Sequence, residues 1–273
     1  MSDENNIEGT INAATGLLKE VPIYQDALQP AAKELGIALL TVAKTVNVAL
    51  APISTLVWGY DKIKEFAATR LAQKLQEVPK EKIVTPDATI AGPALEALKY
   101  TGHKEELAEM YATLLATAMN IDTQSSAHPS FVEIIKQLSP DEAKLIAYMN
   151  KHRQSPPMVN IRAAVGINAV GYYVLMHYTH VVGDAGCEQP GRQASYWVNL
   201  QRLGLVELKE DYILSPQADG VDLYEKIFND AYIRSLEKEI VAVGRVMDIR
   251  KGAITMTPFG FQFCDACIGE YKD

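Results

Sequence analysis

The sequence predicts a mainly α protein with a small β component, in which an N-terminal helical bundle is followed by a winged-helix-like α+β module. Three observations carry this. Apolar residues recur at helical spacing through the first half of the chain. The run from Met158 to Val182 is instead rich in β-branched and aromatic residues and is punctuated by Gly166 and Gly171, which reads as short strands. Toward the end the order is helix, strand, long helix, hairpin, helix. With 273 residues, 48% of them hydrophobic, the chain has material for one large domain or two ordinary ones.

Residues 1–10 are polar and acidic and form an expected arm ahead of a helical domain over 11–138. From Leu35 to Tyr60 the only formal charge is Lys44, a stretch long enough to cross a bilayer. Leu39, Val42, Val46, Leu50, Ile53 and Val57 share one face of it, with weakly polar residues elsewhere, which also suits a core helix kinked at Pro52. Farther on, Gly92-Pro93 predicts a helix start with Pro at the first position, and Gly102 predicts its end. A second helix is expected over Lys104 to Met119, with Glu105 and Glu106 at its positive end and Leu107, Met110, Leu114 and Ala118 buried. His128-Pro129 opens another.

The second block, 139–273, begins with Ser139-Pro140-Asp141-Glu142, which has the capping-box spacing and predicts a helix to about Lys151. A helix over Arg192 to Leu203 should end at Gly204 and lead into a strand, Leu205 to Leu208. A long amphipathic helix is expected over Val221 to Val243. Met247 to Met256 reads as a hairpin turning at Lys251-Gly252. Thr257-Pro258 should cap a last helix with Phe259, Phe263 and Cys267 on one face.

The net charge of −8 is shared by both blocks, with 12 Lys+Arg against 17 Asp+Glu before residue 139 and 14 against 17 after it. No polycationic half exists to attract nucleic acid. Three cysteines leave one over after any single bridge, and the opening Met-Ser-Asp-Glu-Asn-Asn lacks a basic and an apolar signal region. From both features the expected location is the cytoplasm, with membrane association only on activation.

Candidate chemistry is sparse. Cys264-Asp-Ala-Cys267 has redox or zinc spacing, with Cys187, His177 and His180 as the only partners in prospect, but small apolar residues in a terminal helix explain it better. His177 and His180 would share a helical face as metal ligands, whereas a strand would separate them. His128 and Ser130 juxtapose a base and a hydroxyl, although so close in sequence they are expected to form a helix entry. Gly166 to Gly171 has the gap of a P-loop but continues Tyr172-Tyr173 where Lys-Ser/Thr is required. No catalytic, cofactor or metal constellation emerges, so the expectation is a protein that is not an enzyme and has no small-molecule substrate.

An ordered series of motifs supplies a resemblance: Val21-Pro-Ile-Tyr-Gln-Asp26, Ala49-Leu-Ala-Pro-Ile-Ser54, Leu56-Val-Trp-Gly-Tyr60, Gly92-Pro-Ala-Leu-Glu-Ala-Leu98, Tyr100-Thr-Gly-His103, His128-Pro-Ser-Phe131, Leu138-Ser-Pro-Asp-Glu142, Asn199-Leu-Gln-Arg-Leu-Gly-Leu205 and Thr257-Pro-Phe-Gly260. Together, over roughly Ile11 to Cys267, they resemble the Abi-alpha family. The resemblance implies a bacterial or prophage-borne protein of abortive-infection defence against phage, and it carries over no catalytic residues.

Three functions compete. A sensor or adaptor would act through a protein partner or self-association, with Arg192, Tyr196, Trp197 and Arg202 as the candidate surface, unless the two aromatics pack inside. A conditional membrane effector would use the Leu39 to Val57 face on activation. A winged-helix regulator would place the Arg192 to Leu203 helix in a major groove, but two arginines on an acidic domain argue against nucleic acid.

Overall fold

The computed structural model describes residues 65–215 and 222–269. The apolar segment with its candidate membrane face, Leu39 to Val57, lies outside them. A π-helical stretch Ala67–Leu71 and a short turn Ala72–Lys74 lead into α1 (Ala88–Thr101), α2 (Glu105–Met119), α3 (Pro129–Lys136) and α4 (Pro140–His152). Strands β1 (Pro157–Ala164) and β2 (Gly171–Tyr178) follow, then a single turn α5 (Val181–Asp184), α6 (Gln193–Arg202) and β3 (Val206–Glu210). The chain closes with α7 (Glu225–Phe228), α8 (Ala231–Ala242), β4 (Val246–Met256) and α9 (Pro258–Cys267). The protein is mainly α with a small β component, as the sequence implies.

Local chemistry sets most helix starts. At α4 the Ser139 hydroxyl accepts from the Glu142 amide while the Glu142 carboxylate accepts from the Ser139 amide, so two orphan donors are satisfied at once. Thr257 caps α9 by accepting from the Gly260 amide at 2.8 Å. Gly204, at φ 76°, ends α6 in the left-handed region that favours glycine.

Three expected elements are corrected. First, α1 starts at Ala88, not Pro93, because Asp87 accepts from the Thr89 amide at 2.7 Å and nucleates the helix more than a turn earlier. Pro93 then sits inside and removes one intrahelical bond, which the burial of Ile90, Ala91, Ala94, Leu95 and Leu98 offsets. Gly102 does end α1, but with ordinary helical dihedrals. Second, the long helix expected over Val221 to Val243 is two, broken at Asn229-Asp230, where Asp230 caps α8 by accepting from the Tyr232 amide. Third, Met247 to Met256 is one continuous strand with no turn at Gly252.

That strand is the spine of the sheet. The order is β2-β1-β4-β3, with all neighbours antiparallel. β4 pairs with β1 from Val246 to Ala253 and with β3 from Gly252 to Met256, so it passes from one neighbour to the other around Gly252. A Cβ at Gly252 would lie 2.6 Å from the Lys209 carbonyl oxygen. The glycine permits close strand approach rather than a turn.

The main core runs from Leu71 and Leu75 through α1 to α4 and on to Trp197, Leu200, Ile254, Phe263 and Cys267, with Leu138 included, so it crosses the junction of the two sequence blocks without interruption. Phe131 meets Phe259 and Phe263, each at 5.5 Å between ring centroids. A second cluster lies on the other face of the sheet, where Val159, Ile161 and Ala163 of β1 pack with Tyr224, Ile227, Ile233 and Ile240. Met158 belongs to the first cluster and Val159 to the second, the two-residue alternation of a strand buried on both faces.

Candidate functional site

Among the described residues β2 forms one edge of the sheet, and its sequence Gly-Tyr-Tyr-Val-Leu-Met-His-Tyr carries no lysine, arginine or carboxylate. Indeed no residue from Ala163 to Gly183 bears a formal charge. The opposite edge, β3, reads Val-Glu-Leu-Lys-Glu. Charges on an edge strand deter pairing with other chains, and here only one of the two edges has them. Tyr172, Tyr173, Val174 and Met176 are all exposed on β2, and the hairpin tip adds Val165, Ile167 and Val170, the last 82% exposed.

The tip is held in shape. The Val165 amide donates to the Val170 carbonyl at 3.0 Å, and Asn168 takes a left-handed conformation at φ 59°. Arg162, on β1, donates from one guanidinium nitrogen to the Ala169 carbonyl at 3.1 Å and from the other to Asp248 at 3.0 Å. Asp248 is buried and also accepts from Arg250 at 3.2 Å. Gly171 lets the hairpin close, since a Cβ there would lie 2.7 Å from the Ala163 carbonyl oxygen. Arg162 and Arg245 lie over the rings of Tyr173 and Tyr172, 5.7 and 5.4 Å from their centroids.

Beyond Tyr173 the pairing of β2 with β1 shifts register twice. His177 lies at the second irregularity, buried, at φ 53°. Its amide donates to Asn160 Oδ1 at 2.7 Å, while Asn160 Nδ2 donates to Glu210 at 2.9 Å. Burial pushes the His177 imidazole below its usual value.

The surface proposed from sequence on α6 is corrected. Trp197 is fully buried in the main core and Tyr196 nearly so, its hydroxyl bonded to α4, which leaves Arg192 and Arg202 exposed. The Tyr196 hydroxyl donates to Asp141 at 2.8 Å, and burial together with this bond pushes the phenol up to about 12. Asp141 also accepts from the amides of Glu188 and Gln189. Burial pushes its carboxyl up, but these bonds and nearby Lys144 outweigh it and hold it below the usual range. Arg202 donates to Gln137 and Asn199, and Asn199 donates to Glu142, so these polar groups join α3, α4 and α6.

The other candidates separate. His180 lies 3.2 Å from the Lys226 carbonyl oxygen and 3.6 Å from Asp230, away from buried His177. Among the described residues no three His, Cys, Asp or Glu side chains are placed to hold a metal ion. Burial raises the thiols of Cys187 to about 11 and Cys264 to about 12, and raises Cys267 well above its usual value. His128 and Ser130 form the expected helix entry and also meet, with Nδ1 2.7 Å from the hydroxyl oxygen. The same nitrogen accepts from the Ser130 amide, so the contact caps α3 at an exposed helix entry.

Sequence reasoning missed a cavity of about 380 Å³ between the end of α4, α5 and α7. His152 lies 4.1 Å from Tyr148 between ring centroids on one wall, and Asp184 pairs with Lys226 on another. Only the Tyr148–His152 spacing of four hinted at it. It also missed the β2 edge, whose signal was the missing charge over Ala163 to Gly183.

A solved structure of an uncharacterised protein from the hydrocarbon-degrading marine bacterium Alcanivorax borkumensis SK2 is similar at 19% identity and a TM-score of 0.34, covering 50% of this chain and 90% of that one. No curated protein matches. The abortive infection alpha family matches over residues 59–267, three-quarters of the chain and most of the motif series quoted above. The chain belongs to the abortive infection alpha family.

Proposed function

We propose that the chain is a non-enzymatic, protein-interaction component of abortive-infection defence against phage, acting as a sensor or adaptor through its β1–β2 hairpin. Family membership supports the defence role. The observation that carries the interaction role is the uncharged, apolar edge strand with its fixed tip, since large exposed apolar patches on otherwise polar proteins mark contact sites. The membrane reading rests on residues 39–57; among the described residues no helix is long and apolar enough to cross a bilayer. The test is phage challenge of a sensitive host carrying the wild-type chain or the hairpin variants Val170→Asp and Met176→Glu. Loss of plaque reduction at unchanged protein level is expected. Full protection by both variants would remove the hairpin from the function.

A further inference from the structure

We infer that β2 pairs antiparallel with β2 of a second copy, joining two four-stranded sheets into one across a two-fold axis. The inference rests on the interaction role given to the hairpin and names its partner. The edge itself is the first ground. Among the described residues no strand pairs with the outer side of β2, and β2 lacks the charges that would keep another strand away.

Charge selects the occupant. Each copy carries −8, so two copies repel wherever charged faces meet. Across a two-fold axis every residue of β2 faces a residue of the same strand, and with no formal charge from Ala163 to Gly183 the strand pair itself opposes no like charges, the nearest cations being Arg245 and Arg162 over Tyr172 and Tyr173. The β3 edge, with Glu207, Lys209 and Glu210, lacks that property.

Register and area agree with this. β2 pairs regularly with β1 from Gly171 to Tyr173, and the proposed axis is set in this regular stretch, at Tyr172. Val170 of each copy then lies beside Val174 of the other, and each tip runs along the other copy toward Met176. At roughly 150–250 Å² per large side chain, the exposed fractions of the hairpin residues offer on the order of 700 Å² a side, close to the ~800 Å² that each partner of a standard interface buries.

The experiment is sedimentation velocity of the full chain over a concentration series, with Val174→Lys and with Tyr172→Cys. The wild type should sediment as a dimer. Val174→Lys buries an unpaired charge opposite Val170 and should weaken association by about tenfold or more while melting with the wild type at concentrations where both are monomeric. Tyr172→Cys should form a disulfide-linked dimer on mild oxidation, whereas Glu207→Cys on the other edge should not. A monomer throughout the series overturns the inference. So does a dimer that Val174→Lys leaves intact and Tyr172→Cys fails to cross-link. If β2 amides are protected from exchange in a monomer, another segment of the same chain covers the edge, which also overturns it. A monomer whose hairpin variants lose protection refutes the dimer alone, whereas a β2-linked dimer whose disruption spares protection refutes only the interaction role in defence.

Discussion

Replacing Asp141 by alanine removes one carboxylate and leaves three donors without an acceptor: the amides of Glu188 and Gln189, at 2.9 and 3.0 Å, and the Tyr196 hydroxyl at 2.8 Å. Asp141 is 5% exposed and Tyr196 7%, so water replaces little of what is lost. Hydrogen bonds to a charged acceptor contribute about 1.5–3 kcal/mol each, and a stranded buried donor costs about 1–3 kcal/mol. The two amides lie on a loop that can shift toward solvent, which recovers part of this. The expected net loss is therefore about 3–5 kcal/mol, out of the roughly 5–15 kcal/mol typical of a folded domain.

Guanidinium unfolding followed by far-UV circular dichroism and by tryptophan emission measures it, since Trp197 is fully buried. Tyr196→Phe alone should cost about 1–2 kcal/mol, but almost nothing in the Asp141→Ala background, where the hydroxyl has already lost its acceptor. A loss under about 1 kcal/mol for Asp141→Ala, or additive effects in the double variant, would refute the reasoning. The native carboxyl lies below its ordinary value. Its contribution is therefore complete above the unfolded value near 4 and disappears as pH falls through the lower native one, and Asp141→Ala should flatten that part of the acid limb.

Gly252→Ala should destabilise by about 2 kcal/mol or more in the same assay, because its Cβ would lie 2.6 Å from the Lys209 carbonyl and 3.0 Å from Met158 Cε. Ser139→Ala removes one half of the capping box at α4 and should cost about 1 kcal/mol. Val170→Asp should shift stability by no more than about 0.5 kcal/mol, since the side chain is 82% exposed, so any loss of protection would report on contact and not folding. Cys264 and Cys267 should resist alkylation at neutral pH until the chain unfolds, as buried thiols held well above their usual values have almost no thiolate; mass spectrometry after a timed iodoacetamide pulse checks this.

What was legible in the sequence was local. Ser139 to Glu142, His128-Pro129, Thr257-Pro258 and Gly204 each fix a helix end through groups within a few residues, and each is found where its spacing puts it. The misreadings share a cause. Gly92-Pro93 and Lys251-Gly252 look like punctuation, but the first was overruled by the Asp87 cap and by burial along α1. The second was overruled by two flanking strands that require a close backbone approach at Gly252. Tyr196 and Trp197 failed as surface candidates for a related reason: helical spacing defines an apolar face without saying what covers it, and here both lie in the main core, with Tyr196 bonded to α4. The Asp141 network joins residues 48 and 55 apart, and no window of sequence reveals it.

The hairpin's stiffness bears on its role more than its hydrophobicity does. An apolar loop free to move loses conformational entropy when a partner orders it, at about 0.5–1.5 kcal/mol per immobilised side chain, which erodes what burial contributes. Here the backbone of the tip is already tied down. Arg162 spans from buried Asp248 to the Ala169 carbonyl inside the tip, and the Val165 amide closes the turn on Val170. The cost of burying Asp248 is met within the fold by two arginines, one of which also lies over Tyr173. The same ion pair thus anchors the strand at its base and presents Ile167 and Val170 at its end. It joins the buried interior to the exposed edge, so the shape of the hairpin surface is set by folding.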